Sequence, residues 1–244
     1  MRQDTSAALR IQKARTTLLL DHPFFGSLLF RLKGRENRSI PTMATDGVSL
    51  YFNPEFVDAL NSATLAGVLA HEVLHPALHY HVRRSGRNPR RWNEACDYAI
   101  NPLLLDAGLS LPEGVLVDHR FRGMSAEQIY NLREREAQED PDSQERKKEG
   151  SEPGSDGASE DETGPGSTLA PVTEGGVGQV LDAPLPDEET PSIEEQAREW
   201  SIAVNQAATV AKQAGKAPAG LDRALKGAAE AAVDWAGTSA TALV

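Results

Sequence analysis

Two histidines and a glutamate stand at a spacing typical of a hydrolytic metal site. In the stretch LAHEVLHPALHYH, residues 69–81, they are His71, Glu72 and His75, which form an H-E-x-x-H pattern. Residues four apart on a helix point the same way, so the two imidazoles can bind one zinc ion at about 2.0–2.1 Å. Glu72 can then take a proton from the water on the zinc and pass it to a leaving amine. We therefore predict a zinc site with Glu72 as its catalytic base.

The next predicted helix offers the third protein ligand that a catalytic zinc requires. In WNEACDYAIN, residues 92–101, three polar residues recur every four positions: Asn93, Asp97 and Asn101. Asp97 is the predicted third ligand, because it follows His75 by 22 positions, which leaves enough chain for a reversed helix to return to the site. Asn93 and Asn101 are predicted to orient the ligands through hydrogen bonds.

Two alternative ligands stay open in the sequence: Glu94, on another face of that helix, and His79, one turn beyond His75. Pro76 removes a helical N–H and its ring clashes with the preceding turn, so we expect a kink that moves His79 off the ligand line. Cys96 is predicted to be a small core residue. The candidates for stabilising a substrate oxyanion are Tyr98, Tyr130, His119 and Arg120.

Apolar periodicity and turn residues predict the elements before the H-E-x-x-H helix. A first helix runs to about Leu20, and residues 24–33 alternate as a strand does. Residues 41–53 are typical of a hairpin, and Pro54 begins a short helix. The second hairpin strand, residues 48–52, is the predicted edge strand on which an extended substrate pairs.

The elements that carry the candidate ligands are predicted to be helices. The helix with H-E-x-x-H covers residues 63–82, capped by Asn61 or Ser62, and the helix with the polar stripe covers residues 92–105. Further helices are predicted over 125–136, with Ser125 as its cap, over 193–214 and over 220–232. The site therefore depends on two helices that must pack side by side.

Acidic residues are concentrated in one segment. Between residues 134 and 190 the chain has 17 acidic and 4 basic residues, whereas the whole chain has a net charge of −11. We therefore divide the chain into a domain over 1–136 that contains the predicted metallopeptidase site, a disordered acidic insertion over 137–190, and C-terminal helices over 191–244 that pack on the domain. Within the insertion, the apolar residues of the stretch 175–184 are predicted to dock on the domain.

An arginine-rich loop, residues 83–91, separates the two predicted site helices. It is either a solvated loop or the surface on which the acidic insertion docks. In the second case the insertion would shield the cleft as a flap, through contacts that physiological salt screens beyond about 8 Å.

The composition excludes several other classes of protein. A single cysteine rules out an intramolecular disulfide and favours a reducing compartment. No stretch approaches the roughly 18 apolar residues of a membrane span, and the N-terminus does not have the pattern of a signal peptide. Outside the acidic segment the chain is near neutral and offers no basic surface for nucleic acid. We expect a cytoplasmic protein that binds neither membrane nor nucleic acid.

Three of these stretches together resemble a known family. AHEVLH, WNEACDYAIN and LPEGVLVDHRFRGMSAEQIY resemble the bacterial zincin-like metallopeptidase domain found N-terminal to von Willebrand factor A-like domains, and GGVGQVLDAP extends the resemblance. The resemblance implies an α+β, zincin-like fold: a small β-sheet, an active-site helix carrying HExxH, a second ligand-bearing helix and additional helices. It also implies zinc at His71, His75 and Asp97, with Glu72 as the base, and a MoxR-type AAA+ ATPase as a partner.

Three functions are compatible with these residues. The first is a zinc-dependent metallopeptidase that hydrolyses peptide bonds of a protein or peptide substrate. The second is a metal-binding scaffold that partners a MoxR-type AAA+ ATPase without proteolytic activity, and the third is a small-amide hydrolase. Glu72 favours hydrolysis, because a structural zinc is closed by four ligands and needs no base. The metallopeptidase is the function that we predict.

Overall fold

A computed structural model describes residues 6–139, 178–184, 191–218 and 220–225 of the chain. Its helices, in chain order, are α1 (Ser6–Asp21), α2 (Pro23–Leu29), α3 (Pro54–Ala59), α4 (Ser62–Ala77), α5 (Pro89–Asp106), α6 (Ala126–Glu139) and α7 (Ile193–Gln213). Its strands are β1 (Lys33–Glu36), β2 (Met43–Thr45), β3 (Ser49–Phe52) and β4 (Gly178–Val180), and His119–Phe121 form a 3-10 turn. This part of the chain is α+β, with a small mixed sheet and several helices.

The first two helices pack against each other, and the prediction of a strand over 24–33 is wrong. Pro23 begins α2, at a position where its missing N–H leaves no helical bond unmade. The buried residues of α2 include Phe24, Phe25, Leu28 and Leu29. Their spacing follows one face of a helix and not the alternation of a strand. Gly26 lets the two helices approach closely, because a Cβ there would lie 2.4 Å from the backbone of Leu19.

The sheet has the strand order β1-β3-β2-β4. The hairpin predicted over 41–53 is confirmed as the antiparallel pair β2–β3, and the outer strands β1 and β4 run parallel to their neighbours. Asp46 closes the hairpin turn, because its Oδ1 accepts the N–H of Val48 at 2.9 Å and of Ser49 at 2.6 Å. Strand β3 has a neighbour on each side, so the prediction that residues 48–52 form an edge strand is wrong.

The helix that carries H-E-x-x-H, α4, ends five residues before its predicted end. Asn61 caps its start, since its Oδ1 accepts the N–H of Thr64 at 2.9 Å. Pro76 is accommodated in the last turn, and the helix ends at Ala77. The chain then turns through His79, whose φ of 61° lies in the left-handed region. The residues after Ala77 therefore leave the direction of the helix.

The second site helix, α5, packs between α4 and α6. It begins at Pro89, three residues before the predicted start, with Asn88 as its cap. Helix α6 begins after Ser125, whose Oγ accepts the N–H of Gln128 while the Gln128 side chain accepts the N–H of Ser125. This reciprocal pair of hydrogen bonds is a capping box, so the predicted cap at Ser125 is confirmed.

The predicted acidic insertion contains two segments with regular structure. Its first residues, 137–139, belong to α6, and β4 pairs with β2. Residues 140–177 and 185–190 of the predicted insertion lie outside the described residues, as do residues 226–244 of the predicted C-terminal helices. Helix α7, with Ser192 as its cap, packs on α2 and α4. In the part of the chain that the structure describes, none of the helices combines the length and apolar character that a bilayer crossing requires.

Candidate metal centre

Three side chains from α4 and α5 meet at one point in the interior. The Nε2 atoms of His71 and His75 are 3.0 Å apart, and they lie 3.4 and 3.5 Å from Oδ1 of Asp97. All three residues are fully buried. Ligands about 2.0–2.1 Å from a tetrahedral zinc lie about 3.3 Å from each other, so the three separations fit three corners of such a site. The structure therefore brings the predicted ligands together as a group that could hold a metal ion.

The unmet bonding capacity of Asp97 supports the same interpretation. Both of its carboxylate oxygens are buried, and neither has a hydrogen-bond partner among the described residues. A buried carboxylate is costly unless it is paired with a cation or with donors. The nitrogen atoms that face Asp97 are Nε2 of His71 and Nε2 of His75. An imidazole nitrogen binds a metal through its lone pair, and it then has no proton to donate to the carboxylate. The donor set of two imidazoles and one carboxylate suits a divalent transition-metal ion.

Packing of α4 explains why these side chains are held in the interior. Every residue of α4 from Leu65 to Ala77 is buried. Gly67 lies under the loop after α5, because a Cβ there would be 1.9 Å from the carbonyl oxygen of Ser110. Tyr80 folds back so that its N–H donates to the His75 carbonyl at 2.9 Å, and its ring stands edge-on to the His75 ring. No motif in the sequence marks Tyr80 as a neighbour of the site.

Asn101 fixes the tautomer of His71. The Asn101 Nδ2 donates to the Leu116 carbonyl at 3.0 Å, and a carbonyl can only accept, so the amide oxygen faces His71. This Oδ1 lies 2.9 Å from His71 Nδ1, which therefore carries the proton. The lone pair of His71 is then on Nε2, the atom that faces His75 and Asp97. The structure places Asn101 where the sequence predicts a residue that orients a ligand.

Glu72 lies beside the cluster without belonging to it. It is fully buried, and neither carboxylate oxygen has a hydrogen-bond partner within the described part of the chain. Burial raises the pKa of its carboxyl group from 4.5 to about 8, and Asp97 adds to the rise while His71 opposes it. Strand β4 covers this carboxylate, because a Cβ on Gly178 would lie 1.7 Å from Glu72 Oε1.

Burial and mutual charge also shift the pKa values of the three clustered residues. Burial lowers the pKa of His75 well below its ordinary value, and His71 lowers it further. Burial raises the pKa of Asp97, although His71 opposes the rise. For His71, burial lowers the pKa, but the Asp97 and Glu72 carboxyl groups outweigh it and raise the pKa overall. The environment thus keeps His75 neutral, as a metal ligand requires.

Asn93 holds β4 in place, a contact that the sequence did not predict. Its Nδ2 donates to the Gly178 carbonyl at 3.0 Å, and its Oδ1 accepts the N–H of Val180 at 2.8 Å. The carboxamide therefore binds the outer edge of β4 as a neighbouring strand would. Asn93 therefore positions β4, which covers the site, whereas Asn101 positions the candidate ligand His71, although both residues belong to the same polar stripe of α5.

The alternative ligands are engaged elsewhere. Glu94 pairs with Arg90 and Arg133 on the surface of α5, at 3.3 and 2.9 Å. His79 Nε2 lies 3.1 Å from the Ser201 hydroxyl on α7, and His79 is not part of the cluster. Cys96 is buried, as predicted.

Two of the candidate oxyanion residues have partners elsewhere. The Tyr130 hydroxyl accepts the N–H of Asn88 at 3.1 Å. Arg120 pairs with Asp118 and Glu136 at 2.8 Å in each case. Neither has a contact with the metal cluster in the described part of the chain, so the oxyanion stabiliser stays unassigned.

Residues 6–243 match the family described as "Putative metallopeptidase domain". The chain belongs to that family, and the predicted resemblance to a metallopeptidase domain is confirmed. No curated protein and no solved structure matches the chain. The family description names a metal-dependent peptidase, and the cluster of His71, His75 and Asp97 offers a possible site for its metal.

Proposed function

We propose that this protein is a zinc-dependent metallopeptidase, with zinc held by His71, His75 and Asp97 and with Glu72 as the general base. One observation carries the proposal: three metal-binding atoms converge within 4.8 Å of one another, and an unpartnered glutamate follows the first ligand in the chain. Three protein ligands leave the fourth coordination position of a tetrahedral zinc open, which is typical of catalytic rather than structural sites. A zincin-like arrangement of the sheet and the two site helices accords with this proposal.

The residues of the chain have separate tasks in this reaction. Zinc supplies Lewis-acid activation of a water molecule and of the scissile carbonyl. Asn101 keeps the lone pair of His71 directed at the metal position. Glu72 takes the proton of the attacking water on a carboxylate oxygen and returns it to the leaving nitrogen. Burial raises the pKa of Glu72 in the metal-free protein, and the positive charge of a bound zinc ion would lower it, so that the carboxylate could accept the proton.

Glu72→Gln tests this function directly. The amide has the same shape but cannot accept and return a proton, so it should keep bound zinc and lose hydrolysis by at least about a hundredfold. Glu55→Gln is the matched control, because it makes the same chemical change on α3 at an exposed ion pair. Both variants would be loaded with one equivalent of zinc and assayed on unfolded proteins, a mixed peptide library and small amides. Equal hydrolysis by wild type and Glu72→Gln would refute the role of Glu72.

A second function is favoured by the complete burial of the cluster. A metal-bound scaffold that partners a MoxR-type AAA+ ATPase needs no route for a substrate to the metal. In that case zinc would contribute to the stability of the fold, and the protein would have no peptide or protein substrate. If a cellular effect of the protein survives Glu72→Gln unchanged, the scaffold is the correct function and the peptidase is not.

A further inference from the structure

The metal cluster and its base are closed off by strand β4. His71, Glu72, His75 and Asp97 each have 0% exposed surface. A peptidase must bring a peptide bond against these atoms, so this arrangement cannot be the one that binds substrate. The segment that lies directly on Glu72 is β4, where Gly178 has no side chain to separate its backbone from the Glu72 carboxylate.

Both edges of β4 are bound as the edges of an extended peptide are bound. On one side it pairs in parallel with β2, and the N–H of Leu181 donates to the Thr45 carbonyl at 2.8 Å. On the other side the Asn93 carboxamide bonds the Gly178 carbonyl and the Val180 N–H. These contacts involve only main-chain groups of the bound segment. Another extended peptide can therefore make the same contacts.

The residues that follow β4, 181–184, are attached to the domain by few contacts. Asp182 pairs with Arg84, with one oxygen 2.6 Å from the guanidinium Nε, and the side chain of Asp182 is 55% exposed. The N–H of Ala183 donates to the His81 carbonyl at 2.9 Å. The side chain of Gln179 is exposed and that of Leu181 is 40% exposed, whereas Val180 is partly buried against the core. A three-residue strand with one surface ion pair is a segment that can be displaced.

We propose that β4 occupies the substrate-strand site of this peptidase and must leave it before hydrolysis. The edge of β2 and the carboxamide of Asn93 then bind an extended segment of the substrate protein, and its backbone takes the place of β4. The residue that replaces Gly178 faces Glu72, where a Cβ in the present position would clash. This inference rests on the proposed function.

A reversible cross-link between β2 and β4 tests the proposal. Ala44 and Gln179 are paired across the two strands, and neighbouring strands are about 4.8 Å apart, within the Cα separation that a disulfide spans. The double variant Ala44→Cys, Gln179→Cys would be loaded with zinc and compared in its oxidised and reduced forms. The reduced form is the control for folding, and Gln179→Cys alone is the control for the oxidant. The native Cys96 is buried.

Two readouts separate this proposal from the proposed function. The oxidised form should hydrolyse peptides, and release zinc to a chelator, at least about tenfold more slowly than the reduced form. Equal hydrolysis and equal zinc release in the two forms would show that β4 is a fixed wall, and would overturn the proposal. If neither form hydrolyses any peptide, the proposed function fails, and the rate of zinc release then decides alone whether β4 covers the metal.

A surface variant provides a second test that does not alter the site. Asp182→Ala removes the ion pair with Arg84 and should increase zinc release and hydrolysis by about 1.5- to 5-fold, the range for an exposed pair. Gln179→Ala changes an exposed side chain of the same segment and should leave both rates unchanged. Rates in Asp182→Ala equal to or lower than those of the wild type would contradict the proposal.

Discussion

Asn101→Ala is expected to weaken zinc binding through its effect on His71. In the wild type, the Asn101 amide bridges His71 Nδ1 at 2.9 Å and the Leu116 carbonyl at 3.0 Å. Without the amide oxygen, nothing holds the His71 proton on Nδ1, and the lone pair is no longer kept on Nε2. Removal of a hydrogen-bond partner behind a ligating histidine typically lowers metal affinity by about 10- to 100-fold. That range corresponds to about 1.4–2.7 kcal/mol of binding free energy.

The same variant should also destabilise the zinc-free fold. Two polar groups lose their partner, and each such group costs about 1–3 kcal/mol when it stays buried. We therefore expect the free energy of unfolding to fall by about 2–6 kcal/mol. Asn101→Asp keeps an oxygen for His71 but loses the donor to Leu116, so it should preserve zinc affinity better than Asn101→Ala. The two effects can then be separated.

The assay has two parts. Zinc dissociation constants would be measured by competition with a fluorescent chelator at fixed pH, and unfolding free energies would be measured by urea denaturation of the zinc-free protein. Asn205→Ala on the exposed face of α7 is the control and should match the wild type in both. If Asn101→Ala lowered stability but left zinc affinity unchanged, Asn101 would be a structural residue only, and the argument about the tautomer of His71 would be refuted.

Two further predictions concern stability. In the zinc-free protein, the buried carboxyl of Glu72 keeps its proton up to about pH 8 in the folded state but loses it above 4.5 when unfolded, so rising pH favours unfolding. The free energy of unfolding of Glu72→Gln, measured by urea titration, should therefore rise relative to that of the wild type by up to about 5 kcal/mol between about pH 5 and 9. A difference between the two proteins that does not change with pH would contradict the raised pKa. Gly67→Ala should lower the unfolding free energy by at least about 1–3 kcal/mol, because its Cβ meets the Ser110 carbonyl oxygen, whereas Ser62→Ala should change it little. A urea midpoint for Gly67→Ala equal to that of wild type would refute the close contact.

The grouping of the site residues could be predicted because it follows from helical spacing. His71 and His75 share a face of α4, and Asp97 and Asn101 share a face of α5, so packing of the two helices was enough to bring them together. Helix ends with clear caps, such as Asn61 and Ser125, were also readable from sequence. Local rules of this kind need no knowledge of distant contacts.

The misjudged features depend on contacts between distant parts of the chain. Residues 24–33 alternate weakly, but burial of Phe24 and Phe25 against α1 selects a helix over a strand. The role of Asn93 depends on Gly178, 85 positions later, and sequence alone could not show that the two meet. For the same reason, the interior position of β3 could not be foreseen before its pairing with β1 was known. Tertiary context overrode local propensity in each case.

The most direct test of the account is the metal content of the purified protein. Wild type, Asp97→Ala and the surface control Asp58→Ala would be supplied with zinc, freed of excess ion, and measured by elemental analysis. We predict about one zinc per chain in wild type and in Asp58→Ala, and little or none in Asp97→Ala, since two histidines alone hold the ion weakly. Zinc retained at full occupancy without Asp97, or no zinc in the wild type, would contradict the three-ligand site.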